Sequence, residues 1–264
     1  MDWGKIKAIF IIAFLILDIF LLTQLQVKRE QYEVTSDTTL EEKLKADGIE
    51  YGELPKEIVE DHYLSANTMV FKKEMFKDLK DQHIQLDDGT MIHSQLKKPL
   101  LVEDFEEFSD LDKFVKENVL NGEQYAFWSY DEDDYVITYY QQVEDKFIFM
   151  NQSAQLTFHL NIDGEITSYD QTMLDNIETI SDKEEVLAPI RAIEALYHRG
   201  ALSNSKVEVD LGYYTLVNME ATQVLTPTWH VLVEKDGEQM DMLVNAYEGT
   251  VIQGKPDKEK TILE

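Results

Sequence analysis

Residues 1–25 read MDWGKIKAIFIIAFLILDIFLLTQL, and this stretch divides the chain in two. A polar lead holds Trp3, Lys5 and Lys7, and from Ala8 to Leu22 only Asp18 interrupts an apolar run. About 20 residues, counted from Ile6 to Leu25, make a helix of roughly 30 Å, the hydrocarbon thickness of a bilayer. Past Val27 the chain turns polar, acidic and rich in strand signals.

Three readings of this stretch compete. A cleavable signal peptide accounts for the lysines, but Leu22-Thr23-Gln24-Leu25-Gln26 offers no small-x-small cleavage site. A helix of a soluble core is a poor match for a terminal run that is apolar all round. An uncleaved signal anchor fits the length, the basic lead and the place of Trp3, whose amphipathic ring favours the interface. A lipid-anchored cysteine is excluded, because the chain has none. Lys5 and Lys7 before the span nearly balance Lys28 and Arg29 after it. The short basic lead favours a cytoplasmic N-terminus, with the rest of the chain extracytoplasmic in a single-pass cell-membrane protein.

Asp18 is costly inside a bilayer, on the order of 2.5–3.5 kcal/mol at the centre of a helix. Two readings stand. Either the carboxyl is protonated or reaches the outer interface, or it meets a polar group on another transmembrane helix. On helical spacing Asp18 shares a face with Ile11, Phe14, Leu15 and Leu22, the expected partner contact. No small-residue seam is present, so packing there would use large side chains and one polar contact.

Of 264 residues, 52 are Asp or Glu and 24 are Lys or Arg, for a net charge of −28. Such a surface repels phosphate backbones, so no nucleic-acid partner is expected. Apolar content of 44% excludes a wholly disordered ectodomain. The absence of cysteine removes disulfides, thiolate zinc sites and cysteine nucleophiles together.

Beyond the anchor, residues 28–36 read as a stalk, and Thr38-Thr39-Leu40-Glu41 as a capping box opening a helix to Ala46, stopped by Asp47-Gly48. Residues 57–63 read as helical. Alternation on both sides of Asp88-Gly89 predicts a type I′ hairpin over residues 83–93. It would bring His83 and His93 near one another, as surface histidines rather than metal ligands.

Ser109 is expected to cap a helix over residues 110–120, with Leu111, Phe114, Val115 and Val119 or Leu120 as its apolar stripe and Asn121-Gly122 as its stop. Strands are expected at 124–129, 135–143, 147–150, 154–160 and, after Asp163-Gly164, 165–173. Asp131-Glu132-Asp133-Asp134 lacks the spacing of a calcium loop and reads as a solvated turn. Asn151-Gln152-Ser153 matches a glycosylation sequon by chance.

The pattern then recurs. Ser181-Asp182-Lys183-Glu184 suggests a second capping box before a helix to His198, with Pro189 marking a kink or a late start. Strands follow at 207–218, 228–234, 240–246 after Asp236-Gly237, and 250–252. The expected fold is α+β, a single N-terminal transmembrane helix followed by two successive helix-plus-antiparallel-sheet units. The expected segments are a cytoplasmic tail 1–7, an anchor 8–25, a stalk and N-terminal helix and hairpin region 26–104, a first unit 105–176, a second unit 177–254 and a tail 255–264. No nucleophile elbow, zinc-protease helix, phosphate loop or dinucleotide fingerprint is present, so no enzyme activity, catalytic residue, metal or cofactor is expected.

Several motifs resemble the YycI family of membrane-anchored proteins. They are the opening Met1-Asp2-Trp3 before the anchor, Tyr169-Asp170-Gln171-Thr172-Met173, Arg191-Ala192-Ile193-Glu194-Ala195-Leu196-Tyr197, Leu211-Gly212-Tyr213-Tyr214 and Leu225-Thr226-Pro227-Thr228-Trp229. From residue 30 to 104 no family motif stands out. The resemblance implies a non-enzymatic accessory protein that modulates the WalK (YycG) sensor histidine kinase of a two-component system in low-GC Gram-positive bacteria, a setting of cell-wall homeostasis. It implies a YycH partner and contact at least partly through transmembrane helices. A homodimer is a further candidate assembly. The rival expectation is an extracytoplasmic module that senses a wall fragment, a peptide or a divalent cation in a cleft between the two units.

Overall fold

Tight turns set the register of the sheets. Asp88 and Gly89 both have positive φ, 45° and 74°, as do Asp236 and Gly237, 54° and 84°. Both central residues of a type I′ turn need this sign; residues 236–237 make a two-residue hairpin loop, whereas at 88–89 Thr90 joins them in a three-residue loop. The first turn joins strands whose pairing runs from Asp87↔Met91 to Gln82↔Leu96, and the second joins strands paired from Lys235↔Glu238 to Thr228↔Asn245.

The computed structural model describes residues 7, 11–23, 37–55, 58–102, 105, 108–216 and 222–252. Residues 11–23 form helix α1. Three further α-helices are α2 (Asp37–Ala46), α3 (Ser109–Asn118) and α4 (Pro189–His198). The first strands are β1 (Ile49–Tyr51), β2 (Glu60–Asp61), β3 (Leu64–Thr68), β4 (Gln82–Asp87) and β5 (Met91–Leu101). Next come β6 (Tyr125–Asp131), β7 (Val136–Val143), β8 (Lys146–Phe147), β9 (Gln155–Leu160), β10 (Glu165–Gln171) and β11 (Leu174–Thr179). The last are β12 (Glu184–Glu185), β13 (Ser205–Thr215), β14 (Thr222–Lys235), β15 (Glu238–Asn245) and β16 (Val251–Ile252).

The first sheet is antiparallel, ordered β4-β5-β10-β9-β7-β6, with β8 added to β7. Helix α3 covers it through Leu111 and Val115, which meet Ile137, Tyr139, Leu156, Phe158, Ile166 and Tyr169. The second sheet is ordered β1-β13-β14-β15-β16, with β3 on β14 and β11 on β3. Its one parallel pair among the described residues is β1 with β13. Helices α2 and α4 share its face, where Leu40, Leu44, Ile193 and Leu196 pack on Val207, Trp229, Val231 and Val244. Each such buried aliphatic side chain contributes about 1.5–3 kcal/mol.

The chain is therefore α+β, but its two units are not successive blocks. Residues 26–104, expected to be a stalk with a separate hairpin region, are divided between the sheets. β4 and β5 form an edge of the first sheet, while α2, β1 and β3 belong to the second. The first sheet ends with β10, as expected, but the expected boundary at 176/177 falls inside β11, which already belongs to the second sheet.

Local corrections have simple causes. Ser109 lies inside α3, whose N-cap is Phe108 without a side-chain cap bond. Ser181-x-x-Glu184 opens no helix. Glu184 and Glu185 pair with Asp61 and Glu60, and α4 begins late, with Pro189 in its first turn. There the missing N–H of proline costs nothing. The helix expected over 57–63 is likewise absent among its described residues, where Glu60–Asp61 is a strand.

Expectations for residues 1–6, 8–10, 24–36 and 253–264 lie outside the described residues. These cover most of the cytoplasmic tail, both ends of the anchor, the stalk and the C-terminal tail. Among the described residues, no helix is long and apolar enough to cross a membrane.

Candidate functional site

In α1, consecutive helical turns put Ile11, Phe14, Leu15, Asp18 and Leu22 along one face. All five are exposed, with Leu15 at 54% and Ile11 at 65%. The other faces are equally exposed, Ile12 at 59% and Ile16 at 62%, so exposure alone does not single out the Asp18 face.

The folded body concentrates its polar chemistry where the two sheets meet. Asp61 of β2 is 1% exposed. Its Oδ1 accepts the Tyr213 hydroxyl at 2.7 Å and the His62 backbone N–H at 2.8 Å. Its Oδ2 accepts Lys146 Nζ at 2.7 Å, and its carbonyl accepts the Tyr247 hydroxyl at 2.6 Å. Burial pushes the Asp61 carboxyl up, but the bonds from Lys146, Tyr213 and the His62 N–H outweigh it and hold the group below its usual range. Burial and the Asp61 charge push Tyr213 far up, and push Tyr247 up to about 12. The carboxylate, the ammonium and the two hydroxyls all take part in these bonds, so the node is a fastener between β2, β8 and β13, while the buried His62 imidazole stands 3.8 Å from Asp61 with neither ring nitrogen hydrogen-bonded.

Beside it, Gly212 lets two backbones cross. A Cβ there would lie 2.5 Å from the Phe147 carbonyl oxygen and 2.5 Å from the Phe149 ring. Phe149 N–H donates to Tyr213 O at 2.8 Å. The Trp128 ring lies 4.8 Å and the Phe149 ring 5.1 Å from the His230 imidazole, whose Nε2 stands 2.7 Å from Asp241 Oδ1. His230 therefore faces the first unit while its neighbours Trp229 and Val231 face α4.

A second cluster lies on the open face of the first sheet. Asp170 of β10 sits opposite His93 of β5. Its two carboxylate oxygens stand 2.6 Å from His93 Nδ1 and 2.8 Å from His159 Nε2. Partial burial pushes Asp170 up, and the two histidine bonds bring it below its usual range. His83 does not join them. It pairs with Gln95 while His93 pairs with Gln85, a diagonal relation. Among the described residues, no group of three His, Cys, Asp or Glu could hold a metal ion.

A cleft of ≈390 Å³ opens in the second unit. Its walls are apolar, with Tyr51, Leu54, Val186, Pro189 and Trp229, and Glu41 and Glu185 stand at its margin. Trp229 is fixed there by its Nε1–H bond to Leu187 O at 2.9 Å.

The turn over 131–134 is solvated, as expected, with Asp131 Oδ1 accepting the N–H groups of Asp133 and Asp134 at 3.0 Å. Asn151 is 5% exposed, and its Nδ2 donates to Thr215 Oγ1 and Gln223 Oε1, so the sequon carries a structural amide. Sequence reasoning missed the Asp61 node and the Asp170 cluster. Their members lie far apart in the chain, Asp61 and Tyr213 by 152 residues. No spacing rule signals them.

A family model described as YycI protein matches residues 29–247. No curated protein matches the chain. Among solved structures, an uncharacterized protein from Eubacterium rectale is similar at 13% identity and a TM-score of 0.43, covering 78% of this chain and 89% of that one. The Bacillus megaterium YpeB C-terminal domain is similar at 15% identity and a TM-score of 0.40, with 83% and 95% covered. YycH from Bacillus subtilis is similar at 15% identity and a TM-score of 0.38, with 71% of this chain and 53% of that chain covered.

Proposed function

The chain belongs to the YycI family, and from that premise we propose that it is a non-enzymatic accessory protein that modulates a two-component sensor histidine kinase of the WalK type. It acts with a YycH-like partner at the cell membrane, held by one helix with the N-terminus in the cytoplasm and the folded body outside. Family membership over residues 29–247 is the observation that carries this reading.

The working contact in this reading is α1. A kinase with two signalling states is biased only by a partner that binds one state better. A helix carrying Asp18 among Ile11, Phe14, Leu15 and Leu22 gives such a partner one polar contact within an apolar face. Couplings of this kind are typically about 1–3 kcal/mol. Replacing residues 1–29 by an unrelated anchor is expected to abolish modulation of kinase autophosphorylation. Full modulation by the foreign anchor would sink the helix-contact mechanism. Asp18→Leu is expected to reduce co-purification of the kinase and YycH-like protein from membranes.

The ≈390 Å³ cleft beside Trp229 favours a second reading, a module that senses a wall fragment or peptide. Wall fragments are then expected to raise the melting temperature, and Trp229→Ala to remove the shift. No shift with fragments, peptides or Ca²⁺ would count against it.

A further inference from the structure

One end of the first sheet leaves apolar side chains in solvent. Ile162 is 86% exposed, Leu101 54%, Tyr135 43% and Phe105 37%. Pairing brings them to the same end. Leu101 sits opposite Glu165 at the start of β10, and Leu160 N–H donates to Tyr135 O at 3.0 Å. Ile162 tops the β9–β10 turn, where Asn161 Oδ1 accepts the N–H groups of Asp163 and Glu165. Phe105 stacks on Tyr130 at 4.8 Å and lies against Gly164, where a Cβ would stand 3.3 Å from its ring.

Tyr135 is held at φ 54°, a left-handed conformation unfavourable for an aromatic residue. Strain of this kind is concentrated where a side chain has a task. Charge narrows what could cover the patch. The surrounding segments 108–112, 131–135 and 161–165 contain eight carboxylates and no lysine or arginine. An apolar centre rimmed by polar groups marks an interaction surface. Here the rim repels phosphate and anionic headgroups.

We propose that this end of the first sheet docks a basic amphipathic segment of a partner protein. Its apolar side chains cover Ile162, Leu101, Phe105 and Tyr135, and its lysines or arginines meet Asp133, Asp134 and Asp163. This surface goes beyond the regulatory reading above and does not use α1.

The test uses the full-length chain in nanodiscs of neutral lipid. One probe is a helical peptide with a leucine face and a lysine face, and the other is a charge-matched peptide with serine for leucine. The leucine peptide is expected to bind at least about tenfold tighter, a margin of about 1.4 kcal/mol. That margin is expected to vanish in Ile162→Ser and in Tyr135→Gly. Both variants keep the fold, because Ile162 is exposed and glycine tolerates the φ of residue 135. Asp133→Asn with Asp134→Asn weakens both peptides and flattens the salt dependence. Equal binding of the two peptides, or a margin that survives Ile162→Ser, overturns the proposal. Peptide-free dimers, or uptake onto neutral vesicles, that Ile162→Ser abolishes would also overturn it, in favour of a second copy or a lipid surface.

Discussion

The side chain of Gln141 and the backbone of Leu174 exchange two hydrogen bonds. Leu174 N–H donates to Gln141 Oε1, and Gln141 Nε2 donates to Leu174 O, both at 2.9 Å. Gln141 is fully buried in β7 of the first sheet, and Leu174 opens β11 of the second. A side-chain amide thus stands in for a strand where the chain leaves one sheet for the other. Gln141→Leu removes both bonds and is expected to destabilise by about 2–3 kcal/mol. The urea midpoint should fall with little change in slope. An unchanged midpoint would show that the pairing carries no net stability.

Asp61 gives a pH prediction with a definite sign. Its folded carboxyl titrates below the ordinary value of 3.8. The stabilisation is therefore complete above about pH 4 and is lost as pH falls through the folded value. Asp170 acts in the same direction. Asp61→Asn leaves Lys146 and Tyr213 without their anion and is expected to cost about 3 kcal/mol at neutral pH. Melting curves against pH should show the gap between native protein and variant closing below about pH 4. A gap that stays constant into strong acid would contradict the assignment of charge to Asp61.

Gly212→Ala is expected to separate the sheets rather than unfold either one. The added methyl would meet the Phe147 carbonyl and the Phe149 ring at 2.5 Å. Hydrogen exchange at Phe149 N–H, which donates to Tyr213 O, should accelerate well before exchange in the core of β13 and β14. Uniform acceleration would mean that the junction and the second sheet open together.

Residues 177–252 expressed alone are expected to be unfolded. They lack Leu40, Leu44 and Ile49, which belong to the same core as Ile193 and Trp229. They also lack β3, which pairs with β14. Adding residues 37–68 in trans should restore circular dichroism if the pieces associate. A cooperative melt of 177–252 by itself would refute the shared core.

Local chemistry was legible in the sequence. The Asp-Gly turns, the stripe of α3 and the α+β class followed from spacing and period. What was not legible is where strands go after they form. Residues 225–231 of β14 are all buried, because α4 covers the face of Trp229 while Trp128 and Phe149 cover the face of His230. The alternation that marks a half-buried strand is therefore missing, and the strand expected at 228–234 begins at Thr222. Strand β11 was missed, because the expected strand stops at residue 173 and the acidic run 174–179 that crosses to the second sheet carries no strand signal of its own. The apolar stretch 8–22 stood out by length and hydropathy. The Asp61 node did not, since an acidic residue in a chain this acidic carries no signal until its partners arrive.

The parallel pairing of Ile49 with Ser205 has a consequence for how the protein is made. Ribosomes deliver residues 37–51 early and β13 and β14 late. In the interval Leu40, Leu44 and Ile49 have no sheet to cover, while the strands of the first sheet can already pair. Such long-range closure is slow and leaves sticky surface open. The nascent chain is thus expected to pass through a half-finished form with a completed first sheet and an exposed α2. Chaperones would meet the protein in that form.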